Sequence, residues 1–133
     1  MFQGLKGLKT ALYEFTDDMV VGDEYVVLGA PSHFGKNFEN FIREFYIEKE
    51  KIGIKTRLIY NSAFKEVKNL YKGLTHTRVR FVDDLTPSTI VIRNGKILII
   101  AYGEDPRQVL ISSKPIAESF YAFFESMWKV SYR

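Results

Sequence analysis

The spacing of apolar residues along the first half of the chain switches between two periods. Leu5, Leu8, Leu12 and Phe15 recur at i, i+3, i+7 and i+10, which predicts one amphipathic helix ending near Asp17-Asp18. After a break at Gly22-Asp23, Tyr25-Val26-Val27-Leu28-Gly29 is apolar throughout, the pattern of a strand buried on both faces. Ala30-Pro31-Ser32-His33-Phe34-Gly35 is rich in small and turn-forming residues and reads as a loop. A second helix is predicted from about Lys36 to Ile52, with Phe38, Phe41, Ile42, Phe45 and Ile52 on one face and Gly53 as its C-terminal cap. Arg43, Glu44, Glu48, Lys49 and Lys51 fall mostly on its outer surface. Ile54 to Tyr60 is the next strand. Asn61-Ser62 then starts a short helix that turns Phe64, Val67, Tyr71 and Leu74 inward and Lys65, Lys68 and Lys72 outward.

From residue 76 the pattern becomes strands alone. Thr77 to Val82 alternates Val79 and Phe81 with Arg78 and Arg80, so one face is expected to be wet. Thr89 to Arg93 and Lys96 to Tyr102 flank Asn94-Gly95, a hairpin signal that predicts a type I′ turn with both central residues at positive φ. Gln108 to Ser112 is a further strand after the Glu104-Asp105-Pro106 turn. A last helix begins after Ser112-Ser113 with Pro115 in its first turn, and Ile116, Phe120, Phe123, Phe124, Met127 and Trp128 form a wide apolar stripe along it. That stripe reads as core, with a dimer seam as the alternative. The order is helix, strand, helix, strand, helix, four strands and a helix. It implies one α/β domain over residues 1–133, a mixed sheet with parallel crossovers in its first half, and helices on both faces.

Composition removes chemistry rather than adding it. The 133 residues include no cysteine and two histidines, His33 and His76, which excludes disulfide frameworks, thiol catalysis, zinc ribbons and a three-histidine metal site. No metal and no cofactor are expected. Lysine and arginine outnumber aspartate and glutamate 19 to 16, too small an excess to argue for nucleic acid by itself. Aromatic residues reach 15%, enough to give a short chain a solid core. No apolar run approaches the roughly 20 residues that span a bilayer, and Met1 to Thr10 lacks a signal-peptide core. A cytoplasmic protein with no membrane partner is the expectation.

Ligands in such sheets sit beyond the carboxyl ends of the parallel strands, which draws attention to Ala30–Lys36 and Asn61-Ser62. Ser32, His33, Gly35 and Lys36 at a helix start suit an anion or a sugar hydroxyl; the plainer reading makes Ser32 a cap and His33 an exposed loop residue. Gly29 to Lys36 resembles a P-loop only faintly, because Asn37 stands where the magnesium-binding Ser/Thr would be. Asp83-Asp84 and Glu104-Asp105 are paired acids in predicted turns, where backbone chemistry favours them.

The second half also carries a family resemblance. Thr77 to Val82, Pro87 to Lys96 and Lys114 through Phe124 and Trp128 resemble one half of a phospholipase D-like domain. Against the His-x-Lys-x-x-x-x-Asp motif of active members, Pro87 stands at the histidine position, Thr89 at the lysine and Asn94 at the aspartate, so the resemblance implies no phosphodiesterase activity. Taken with the opening helix at Gly4–Leu8, the strand Tyr25–Gly29 and Gly53–Asn61, the chain is similar to the catalytically degenerate effector domain of archaeal TrmB-type transcriptional regulators. What the resemblance implies is a non-catalytic ligand-sensing and dimerisation domain. Its effector would be a sugar or other small metabolite, it would form a homodimer, and it would reach DNA only through a winged helix that this chain lacks. Ser32, His33, Asn61, Thr89 and Tyr102 are the candidate ligand-binding residues. The alternative is a diverged phosphodiesterase or nuclease using His33 or His76 beside Arg78 and Arg80. A third reading is direct nucleic-acid binding through Lys65, Lys68, Lys72, Arg78 and Arg80.

Overall fold

A computed structural model describes residues 2–29, 36–83, 88–101 and 107–133. Its elements are β1 (Phe2–Gln3), α1 (Gly4–Thr16), β2 (Glu24–Leu28), α2 (Lys36–Ile52), β3 (Lys55–Asn61), a 3-10 helix (Ser62–Tyr71), β4 (Thr77–Val82), β5 (Thr89–Arg93), β6 (Lys96–Ala101), β7 (Arg107–Ser112) and α3 (Lys114–Val130). The strands form one mixed sheet in the order β1-β7-β6-β5-β2-β3-β4. β2, β3 and β4 run parallel, while β5 pairs antiparallel with β2 and continues through β6 and β7 as an antiparallel meander. The mixed α/β architecture with helices on both faces is therefore as the sequence implies. The two-residue β1, which pairs with β7 at Phe2↔Gln108, has no periodicity to announce it.

Strand alternation assigns the two faces. Tyr25, Val27, Leu58, Tyr60, Phe81, Val91, Leu98 and Ile100 point to the side covered by α1, α2 and the 3-10 helix. Val26, Leu28, Ile59, Val82, Ile92 and Ile97 point to the other side, where α3 alone contributes Ala117 and Phe124. One core is thus thick and rich in rings, and the opposite one is roofed by a single helix.

Several local expectations change. Lys49 is buried and Ile52 exposed, the reverse of the helical-face assignment, because Tyr46 takes the inward place beside Phe45 and the chain turns away at Gly53. The Lys49 ammonium lies over the rings of Tyr13 and Phe45, at 5.4 and 5.0 Å, which makes burial of its stem tolerable. Arg80 is not on a wet face: its guanidinium lies 5.1 Å from the Trp128 ring centre and donates to the Ser131 carbonyl, tucked under the end of α3. At the β5–β6 turn only Gly95 has positive φ, +82°, so Asn94 does not adopt the left-handed geometry and the turn is not type I′. Phe64, Lys65 and Val67 have side chains outside the described residues, as does the whole Glu104-Asp105-Pro106 turn. The long α3 stripe divides: Phe124 is fully buried, whereas Ile116 and Phe123 are exposed.

Candidate ligand-binding site

The described residues converge on a small cavity at the carboxyl end of β2. Its floor is the sheet, with Val27, Tyr60, Val91 and Ile100 alternating upward. Phe38, Ile42 and Tyr46 reach it from α2 at i, i+4 and i+8, and Leu8 and Leu12 from α1 at i and i+4, the spacing that stacks side chains on one helical face. Leu70 and Tyr71 close it from the end of the 3-10 helix. The cavity measures about 40 Å³. That is room for a few water molecules, an order of magnitude below the ~300–1,000 Å³ of a metabolite-sized pocket.

Two features of the mouth follow from the sequence. Gly29 has φ +111°, and a Cβ there would lie 2.2 Å from the Ser88 carbonyl oxygen, so only glycine lets β2 and the start of β5 meet. That approach sets Thr89, itself buried, in the cavity wall beside Gly29. The polar groups are otherwise phenols. Tyr60 and Tyr71 share a short hydroxyl–hydroxyl hydrogen bond, and the Tyr46 ring meets Tyr71 edge to face at 5.0 Å. Burial holds the Tyr71 and Tyr25 hydroxyls well above the usual tyrosine range, so both keep their protons at physiological pH. A wall of phenols and one threonine amid aliphatic groups suits a ligand with an apolar face and few hydroxyls. Among the described residues it supplies no charge for an anion.

The 3-10 helix that closes the cavity is ten residues long, where such runs seldom exceed three or four because their hydrogen bonds are poorly aligned. Its start is capped by Asn61, whose side-chain oxygen accepts from Ala63 N at 2.9 Å. Its end is latched by Arg43 of α2, which donates to the Leu70 and Lys72 carbonyls at 2.7 and 3.1 Å.

Of the sequence-derived candidates, Thr89 lines the cavity, and Asn61 lies at the same end of the sheet with its side chain engaged as the cap. Ser32, His33 and Tyr102 lie outside the described residues, as does Pro87. Thr89 opens β5 and Asn94 follows its last residue in the turn to β6, roughly 17 Å away at 3.3 Å per residue. Tyr46 and Arg43 were not singled out as site residues: one shares the period of core residues, the other that of a solvated face.

A second, polar cleft lies at the amino ends of the parallel strands. It encloses about 330 Å³ and is lined by Lys55, His76, Arg78 and Trp128 among others. Arg57 within it is committed, bonding Glu24 at 2.9 Å and Glu125 at 2.7 Å. Arg57 and Arg80 also occupy the Trp128 ring, at 5.2 and 5.1 Å. The five cations of the nucleic-acid reading are divided by the sheet: the 3-10 helix packs on one face, while Arg78 and Arg80 alternate toward the α3 face. Among the described residues no group of three or more His, Asp or Glu could hold a metal ion, and no helix is long and apolar enough to cross a membrane. No family model, no curated protein and no solved structure matches this chain.

Proposed function

We propose that this chain is a non-catalytic ligand-sensing and dimerisation domain of a TrmB-like transcriptional regulator, with a phospholipase D-like fold and DNA contact left to a winged helix outside the chain. The reading rests on the sequence resemblance and on one structural observation. The cavity at Gly29, Tyr60, Tyr71 and Thr89 stands where open α/β sheets take their ligands, and among the described residues its lining holds no acid–base pair. The effector is a sugar or other small metabolite that offers an apolar ring face to Tyr46 and Tyr71 and a hydroxyl to Thr89.

The same geometry supplies a signal. A cavity of about 40 Å³ cannot admit a metabolite without moving a wall, and the 3-10 helix, whose class of hydrogen bond is poorly aligned, is the wall placed to move. Ligand entry displaces Leu70 and Tyr71 and releases the Arg43 latch, so occupancy is reported as movement of one segment against α2.

A thermal-shift screen with neutral sugars, polyols and small cyclic alcohols tests this. A ligand at one hundred times its dissociation constant adds about 2.7 kcal/mol, and Thr89→Val should reduce the shift. Failure of every compound to stabilise the protein, or a shift indifferent to Thr89→Val and Tyr71→Phe, would remove the cavity from the account. Hydrolysis of a chromogenic phosphodiester, abolished by His76→Ala, would favour the diverged phosphodiesterase instead.

A further inference from the structure

The helix that roofs the thinner core has a second apolar side. Ile116, Phe123 and Val130 recur every seven residues along α3 and are 42%, 52% and 71% exposed. Ser119, Ala122 and Ser126, also exposed, fill the positions between them. The half-buried Phe120 and Met127 extend the strip down to the core. From Ile116 to Val130 this side of the helix carries no charge, over about four turns. An exposed phenylalanine flanked by small side chains is the surface that lets another helix approach closely.

We propose that a second copy of this chain covers the strip, through an antiparallel pair of α3 helices whose two-fold axis passes at Phe123. The inference rests on the dimerisation half of the reading above and is independent of the ligand half. Self-complementarity is what identifies the occupant. Under that axis Ile116 of one copy meets Val130 of the other, and Phe123 meets its own equivalent, as an isologous contact requires. The charges agree as well. Glu118 and Lys129 lie on one flank of the strip, about 100° of helical rotation from its centre, and the axis brings Glu118 of each copy beside Lys129 of the other. A parallel two-fold pair would put these groups on opposite flanks, where neither charge meets a partner. Both sheets then lie outside the helix pair, with the two cavities remote from the contact.

The chain has no cysteine, so a single substitution gives an unambiguous probe. At the usual spacing of packed helices, residues on the axis have Cα atoms about 4–5 Å apart, within disulfide reach. Under mild oxidation Phe123→Cys should convert largely to a covalent dimer, whereas Lys51→Cys, exposed on α2, should not. Light scattering of the unmodified chain should show a concentration-dependent dimer. Phe123→Asp should abolish it with circular dichroism unchanged. Glu118→Lys and Lys129→Glu should each weaken it several-fold, and the two together should restore it. A dimer indifferent to Phe123→Asp, with no Phe123→Cys cross-link, would overturn this surface and leave dimerisation standing. A monomer at every concentration would overturn both, and a cross-link without charge-swap rescue would overturn the antiparallel pairing.

Discussion

Replacing Arg57 with leucine tests whether the α3 roof is held by charge. The guanidinium takes Glu24 through Nε and Nη2, at 3.0 and 2.9 Å, and Glu125 through Nη1 and Nη2, at 2.7 and 3.2 Å. It also lies 5.1 Å from the centre of the Phe124 ring, so one side chain ties β2 and β3 to the helix. Breaking a fully buried pair costs ~3–5 kcal/mol, but the Glu24 and Glu125 side chains are 26% and 46% exposed, and the second contact is largely screened. The expected loss is about 2 kcal/mol, or roughly 8 °C in Tm for a chain of this size. Urea unfolding followed by circular dichroism and by Trp128, the single tryptophan, measures it. The pH dependence has a definite sign. The hydrogen bond from Arg57 holds the Glu125 carboxyl below its usual range, so that part of the stability is complete above about pH 4.3 and is lost as pH falls through the lowered folded value. The gap between the two proteins should be full at pH 7 and smaller at pH 3. A loss under about 0.5 kcal/mol at pH 7, or a gap just as large at pH 3, would mean that charge does not hold the α3 roof.

Gly29→Ala should destabilise the chain by at least about 2 kcal/mol, because the left-handed backbone penalty adds to a contact with the Ser88 carbonyl; chemical denaturation reads it. Asn61→Ala should cost about 1 kcal/mol through loss of the cap, with ligand affinity changed less than twofold; equal unfolding midpoints would count against the cap. Lys49→Met should leave stability unchanged or raise it by up to about 1 kcal/mol, since burial lowers the lysine pKa and charging it in the fold is costly. The unsubstituted protein should therefore gain stability relative to Lys49→Met as pH rises toward about 10.4, which unfolding at pH 7 and pH 10 compares.

The long elements were legible because their apolar periods are strong. α1, α2 and α3 begin and end within a residue or two of the expected positions, and the Gly53 cap and the Ser113 N-cap appear where the residue types place them. What periodicity missed is set by tertiary contacts. Lys49 sits inside because two aromatic faces happen to meet its ammonium, and Arg80 is covered because α3 returns over β4 to place Trp128 and Ser131 there. Asn94 avoids positive φ although its residue type permits it. The site was half legible. The rule about carboxyl ends pointed to the end of the sheet where the cavity opens, and Thr89 lies in its wall, but Tyr46 and Tyr71 carry the same inward phase as any core residue. A cavity is a gap between such residues, and no single-residue signal marks it. The Arg43 latch depends on two carbonyls of another segment, which sequence spacing cannot bring together.

In the proposed sensor, ligand enters at Tyr46, Tyr71 and Thr89 and moves the 3-10 helix. Amide chemical-shift mapping of the full chain, titrated with the compound giving the largest thermal shift, decides whether it does. Perturbations should concentrate at Gly29, Tyr46, Thr89 and Leu70 through Gly73, with faster hydrogen exchange at Leu74, whose amide bonds the Tyr71 carbonyl at 3.1 Å. Perturbations confined to Lys55, His76 and Arg78 would move the ligand to the polar cleft, and a bound state with the 3-10 helix unmoved would leave the cavity without a signal.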